Sequence, residues 1–237
     1  EQVYPILHGS EFKKIAPPEN YTHEVSFVGH VLPDLQPIFA EYQHLPFSHL
    51  IAADFWSRLV SLDNKIDPSA IAYSSQTANS IENAEFIARK SAYYYTINLL
   101  SPCFRGELLK RLDSQFKLDI IGGDPGYLSG LSCDRKIESP TITYYPPVLE
   151  YTRIQNVYAS SKINLNITSL QFDDAVVNRV IDVASVGGFI LTDWKPDLSK
   201  ITAVSEQICY RSIEELNRKI LYYLTHEEER LAIATQL

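Results

Sequence analysis

The sequence predicts an α/β fold: a Rossmann-like parallel sheet flanked by helices, with a helical insertion after the first strand. Three observations predict it. Two short apolar runs that end in glycine, EVSFVG at 24–29 and LDIIGG at 118–123, read as strands buried on both faces. A strand, a loop, a helix and a second strand follow one another within 161–193. Long stretches of helically spaced apolar residues separate the strands, the alternation that produces parallel sheets. At 237 residues and 45% hydrophobic content the chain can bury a full core.

Residues 1–23 are rich in proline and polar residues and read as a linker running into the domain, which is expected to span 24–237. The first strand covers Glu24 to Gly29, followed by His30 and a turn at Pro33 and Asp34. Gly29 lets the backbone approach a phosphate, although one glycine is far short of a GxGxxG fingerprint. His30 fits either a phosphate or sugar contact or a solvated loop histidine. From 34 to 115 the runs FAEYQHL, SHLIAADFWSRLVSL, SIENAEFIARKSAYYYTINLLS and RGELLKRLDSQF have helical spacing, and together they form the insertion. Its Tyr93, Tyr94 and Tyr95 suit stacking on a base or sugar, or equally a core or an interface. Leu118 to Gly123 is the second strand, and Gly122 and Gly123 open a turn with Asp124, Pro125 and Gly126. That turn admits a ligand or simply reverses the chain. YYPPV at 144–148 then leads from a short strand into the helix EYTRIQNVYASS.

The stretch 161–193 is the most informative. Ile163, Leu165 and Ile167 alternate with Asn164, Asn166 and Thr168, the period of a strand with its polar residues on one side. Lys162 at its start reads as a solvated charge. From about Asp174 to Ser185, Val177, Val180, Ile181 and Ala184 form a helical stripe, Gly187 and Gly188 end the helix, and FILT is the next strand. The loop and helix start should face the carboxyl edge of the sheet, where doubly wound folds bind ligands. Asp174 and Asp182 are eight positions apart, about 80° off a common line at roughly 100° per residue, so they flank one pocket only if Asp174 lies in the first turn or the loop. Asn178 and Arg179 lie between them. Carboxylates suit ribose hydroxyls and a guanidinium suits a diphosphate. The same residues also describe a capped, solvated helix with an internal ion pair. Beyond them, Ser212 with Glu215 and Thr225 with Glu228 give two capping boxes before the apolar stripes of two final helices, and HEEER reads as a solvated face.

Charge and cysteine content narrow the function classes. The net charge of −8 with no basic cluster argues against a nucleic-acid partner. No apolar run approaches the ~20 residues of a membrane span, and a cytoplasmic location is expected. Cys103, Cys133 and Cys209 form no CxxC pair and are odd in number, so neither a zinc site nor a disulfide framework is expected. Asp173 and Asp174 lack the intervening residue of a DxD metal motif, so the chemistry is expected to need no metal and no cofactor.

The segments SKINLNITS, NRVIDVASVGGFILTD, EQICY, SIEELNRKILYYL and HEEERLAIA resemble the C-terminal half of CgeB-like glycosyltransferases, the group linked to spore maturation proteins. The similarity is continuous from about Tyr145 to the end and extends more weakly to LDIIGG and VSFVGH. It implies the C-terminal, nucleotide-sugar-binding lobe of a GT-B enzyme, with an N-terminal lobe of similar size missing. In that wider group two acids eight apart, usually both Glu, precede a glycine turn; here they are Asp174 and Asp182. The resemblance implies a donor-ribose role for Asp182 and catalytic roles for Asp174 and Arg179, with Asp173 a rival to the shorter Asp174. It also implies donor contacts from Gly29, His30, Gly122, Gly123, Asn178, Arg179, Asp182, Gly187 and Gly188. The expected partners are a nucleotide sugar, an unknown glycan, protein or small-molecule acceptor, and a second copy of the chain. Transfer is expected to be retaining. A nonenzymatic nucleotide or nucleotide-sugar module, or an assembly protein with a vestigial pocket, are the alternatives.

Overall fold

The computed structural model of the chain describes residues 10–31, 101–102, 104–122, 141–170, 172 and 174–237. Tyr93 to Tyr95, Gly123, the turn at 124–126, Asp173 and the part of the expected insertion between 34 and 100 lie outside the described residues. Six strands form one sheet: β1 (His23–Val28), β2 (Leu118–Ile121), β3 (Ile142–Tyr145), β4 (Ser161–Asn166), β5 (Ile190–Asp193) and β6 (Cys209–Tyr210). Every pair is parallel and the order is β3-β2-β1-β4-β5-β6. Val25 sits between Leu118 and Ile163, and Leu165 is paired with Leu191. The chain moves outward from β1 through β2 and β3, then returns to the other side of β1 for β4. The carboxyl ends of β1 and β4 are therefore the topological switch point, where open α/β sheets leave a crevice.

Parallel strands need cover on both faces because right-handed crossovers lay helices over them. The helices α1 (Tyr151–Ala159) and α2 (Asn178–Val186) pack on each other and on β4. Residues 104–109 are helical and place Phe104, Leu108 and Leu109 in the core. Just beyond them, Asp113 N–H donates to Asn217 Oδ1 at 2.8 Å, tying this segment to the long C-terminal helix (Ile213–Thr225). Reversal of the strand order puts these two sets of helices on opposite faces. The short α3 (Leu198–Ile201) and α4 (Ser205–Ile208) join β5 to β6, and the last two helices are α5 (Ile213–Thr225) and α6 (Glu227–Ala234). The core runs through Val25, Phe27, Ile120, Ile163, Leu165 and Leu191 in the centre of the sheet.

Two local expectations change, and the polar side of β4 finds its partners inside the protein. The helix expected from Asp174 starts at Asn178, with extended Val177 as its cap residue and no side-chain cap. Two β-branched residues, Val176 and Val177, precede it. The carbonyl of Asp174 accepts from Asp197 N–H at 3.4 Å, which ties the loop to the β5–α3 connection instead of to a helical turn. The polar side of β4 is not solvated: Asn164 and Asn166 are fully buried, and Asn164 Nδ2 donates to the carbonyls of Tyr158 and Phe189. A buried amide is stable only with such partners. The second capping box does not form. Thr225 is the last residue of α5 and bonds back to the Leu221 and Tyr222 carbonyls, while His226 alone separates the two helices. The first box forms in half: Ser212 Oγ accepts from Glu215 N–H, while the Glu215 carboxylate accepts from the N–H of Arg211, one residue before the cap.

The strand ends at the switch point are tightly packed. Gly122 has φ +110°, and a Cβ there would lie 2.8 Å from the Gly29 carbonyl oxygen. Both the conformation and the contact exclude a side chain. Gly122→Ala is expected to lower stability by about 2 kcal/mol in urea denaturation. A loss below about 0.5 kcal/mol, the range of neutral surface changes, would contradict this packing.

Candidate functional site

The site grows from the carboxyl ends of β1 and β4. After β1, Gly29 N–H extends the ladder by donating to the Ile121 carbonyl at 2.8 Å. A Cβ on Gly29 would meet Arg179 Nη2 at 3.0 Å and the Phe27 ring at 3.2 Å, so glycine leaves room for the guanidinium of Arg179. Arg179 comes from the first turn of α2 and lies over the Phe27 ring, 5.1 Å from its centroid. Its Nη1 donates to Asn166 Oδ1 at 2.7 Å. Its Nε is buried and has no hydrogen-bond partner among the described residues.

A second guanidinium is fastened to the same strand ends. Arg105 donates from Nε to the Ile167 carbonyl at 3.2 Å, from Nη1 to the His30 carbonyl at 3.4 Å, and from Nη2 to Ser169 Oγ. Burial, followed by repulsion from Arg179, lowers its pKa to about 10, with Asp193 acting in the opposite direction. Asp193 ends β5. Its Oδ1 accepts from Thr168 N–H at 2.9 Å and Thr168 Oγ1 at 2.7 Å, and its Oδ2 pairs with Lys195 at 3.2 Å. Lys195 also donates to the Phe172 carbonyl at 2.9 Å. Tyr210, from β6, donates its hydroxyl to the Asn166 carbonyl at 2.6 Å. Burial, with Asp193 adding to it, pushes that hydroxyl well above its ordinary pKa, so it stays a donor. Among the described residues, Lys195 pairs with Asp193, Arg179 reaches that carboxylate only through the Asn166 amide, and Asp182 stands one turn from Arg179 along α2. A partly buried edge that carries two guanidiniums is suited to an oxyanion of more than one charge.

The sequence-predicted residues divide by edge. Gly29, His30, Gly122 and Arg179 meet at the switch point, where His30 is exposed and offers its carbonyl to Arg105. Asn178, exposed, is the first residue of α2 at the same edge. Asp174 is exposed in the loop before it. Asp182 is half-buried one turn further along α2 and acts on Tyr158. The Tyr158 hydroxyl is raised mainly by burial, is lowered by Arg179 and is raised again by Asp182. Gly187 and Gly188 lie at the opposite edge, because α2 runs back along the strands. Gly187 closes the helix with φ +82° near Lys14, and a Cβ on Gly188 would meet Val183 and Asn164. Gly123 and Asp173 lie outside the described residues. Among the described residues no three His, Cys, Asp or Glu side chains converge as metal ligands, and no helix is long and apolar enough to cross a membrane.

Sequence reasoning missed Arg105, Asn166, Thr168, Ser169, Asp193, Lys195 and Tyr210. Arg105 was one more charge in a helical run. Asn166 carried a signal: a polar residue in a strand covered on both faces needs partners, and those partners mark a polar centre.

The lowered pKa of Arg105 has a direct consequence. The charge is complete well below about 10, half lost at that value and gone well above it, so anion binding should weaken as pH rises. Sulfate, which does not titrate there, should protect the fold thermally at neutral pH and progressively less above pH ~10, where the Arg105 charge goes. Protection that is unchanged across that range, or that grows, would contradict the assignment.

No curated protein and no solved structure matches the chain. A family model described as glycosyl transferase-like matches residues 105–237. That span is more than half of the chain, starts at Arg105 itself, and includes Asn166, Arg179, Asp193 and Tyr210. With an all-parallel sheet whose switch point carries paired guanidiniums, the chain belongs to the glycosyl transferase-like family.

Proposed function

We propose that this chain is the donor-binding lobe of a CgeB-like, GT-B glycosyltransferase, and that the carboxyl edge of β1 and β4 holds the diphosphate of a nucleotide sugar. The observation that carries the reading is a pair of guanidiniums fastened to the same strand ends, Arg105 on the His30 and Ile167 carbonyls and Arg179 on Asn166 and the Phe27 ring, with Arg179 Nε–H unpartnered among the described residues. Leaving-group departure from a nucleotide sugar places growing negative charge on the diphosphate. Fixed cations positioned beforehand stabilise that charge without reorganising during the reaction. Two planar guanidiniums with Lys195 nearby offer this without a metal, and the Gly29 turn lets backbone approach.

The other roles follow from position. Asp182, on the same helix as Arg179 and one turn in, is proposed to reach the donor ribose. Asp174, exposed in the loop ahead of α2, is proposed to face the transferring sugar from the rim. Exposed Phe172, in the β4–α2 loop, is proposed to give the same edge an apolar face on which a base or sugar can stack. Transfer with retention, and acceptor recognition by a second lobe, are part of the proposal. A module that binds the donor without transferring its sugar is the second reading. It is favoured by the two Asp residues standing where the resemblance implies Glu and by the place of Asp174 outside the helix.

Calorimetric titration with UDP, GDP and ADP and their sugar conjugates tests the reading. One nucleotide should bind, Arg179→Ala should weaken it at least about tenfold, or about 1.4 kcal/mol, and Asp182→Ala should weaken nucleotides while sparing inorganic pyrophosphate. Unchanged nucleotide affinity in both variants would sink the assignment. Donor binding without transfer or hydrolysis, measured on the chain together with its second lobe, would select the binding-module reading.

A further inference from the structure

Asn166 is the last residue of β4 and is 0% exposed. It stands between a cation and an anion. On one side its Oδ1 accepts from Arg179 Nη1 at 2.7 Å. On the other side its Nδ2 donates to Thr192 Oγ1 at 2.9 Å, to Thr168 Oγ1 at 3.1 Å and, at 3.4 Å, to Asp193 Oδ1. The Tyr210 hydroxyl holds its main-chain carbonyl at 2.6 Å. A flipped amide would turn an N–H towards the guanidinium and an oxygen towards the carboxylate, so the network permits a single orientation.

We infer that Asn166 is the positioning residue of the anion site: its amide aims Arg179 while keeping that guanidinium from being neutralised by Asp193. The inference rests on the diphosphate reading above. Among side chains of this size, only a primary amide accepts from a guanidinium at one end and donates to a carboxylate at the other. A carboxylate at 166 would instead form an ion pair with Arg179, and a small apolar residue would let Arg179 turn towards Asp193. Either change quenches the charge that a diphosphate would meet. The hydroxyls of Thr168 and Thr192 complete the insulation: they saturate Nδ2, and Thr168 together with Lys195 occupies Asp193. The side chains that set this arrangement come from the ends of β4 and β5, so the fold itself fixes the aim.

A double-mutant cycle on the full chain tests this, with inorganic pyrophosphate and UDP as probes. Asn166→Asp, nearly isosteric, pairs with Arg179 but sets a carboxylate oxygen where Nδ2 stood, 3.4 Å from Asp193 Oδ1, so it should lower the melting temperature and lower affinity for both probes at least about tenfold. In an Arg179→Gln background the same substitution should cost little further, since no guanidinium remains to neutralise. Equal losses in the two backgrounds would assign Asn166 a merely structural role and overturn the inference. Should Asn166→Asp fail to fold, Asn166→Ser goes through the same cycle with the same two outcomes. A wild-type chain that binds neither probe would instead overturn the diphosphate reading, and the positioning role with it.

Discussion

Two guanidiniums fastened to the same end of a sheet repel each other, and the fold must hold them there. Arg105 is fastened by three hydrogen bonds to the chain around the ends of β1 and β4, and Arg179 by an amide and an aromatic face. The lowered pKa of Arg105 shows the tension: burial and its neighbour both disfavour its charge. Arg179 Nε, buried without a described partner, shows the same thing in hydrogen-bond terms. A fold with nothing to gain from this arrangement would let Asp193 pair with Arg179. Here the carboxylate is engaged by Thr168 and Lys195, and an amide separates the two. The residues of this network also close the central strand ends, so site and core share their supports.

That sharing explains the backbone at the switch point. Gly29 has no side chain because Arg179 lies where one would project, and Gly122 has none because the Gly29 carbonyl lies there. The sheet order places β1 and β4 together, the two strands whose ends must part for a ligand. Of the glycines the sequence suggests for the site, two act here. Gly187 and Gly188 act at the other edge, where they end α2 and let it pack against β4 and β5.

Much of the fold is legible in the sequence. VSFV and LDII are short, apolar and bounded by glycine, so they read as central strands; 161–193 reads as a crossover unit because its period changes from two to about three and a half. β6, with only two residues, carries no period at all, and α3 and α4, at four residues each, carry hardly one. The start of α2 is misread because Asp174 resembles an N-cap by composition, whereas its carbonyl is bonded to the β5–α3 connection. The site is legible in half. Arg179 and its glycine neighbourhood follow from motif and edge. Arg105 and Asp193 do not, since they are far apart in sequence and meet only once the strands have paired.

The central claim is that the β1–β4 edge recognises a diphosphate through charge held open for it. The most direct measurement compares the affinity of each of UDP, GDP and ADP with that of its own nucleoside on the same protein by calorimetry. For the nucleotide that binds, the account predicts a diphosphate contribution of at least about a hundredfold, close to 2.7 kcal/mol, that shrinks with added salt. A nucleoside that binds as tightly as its diphosphate would contradict it.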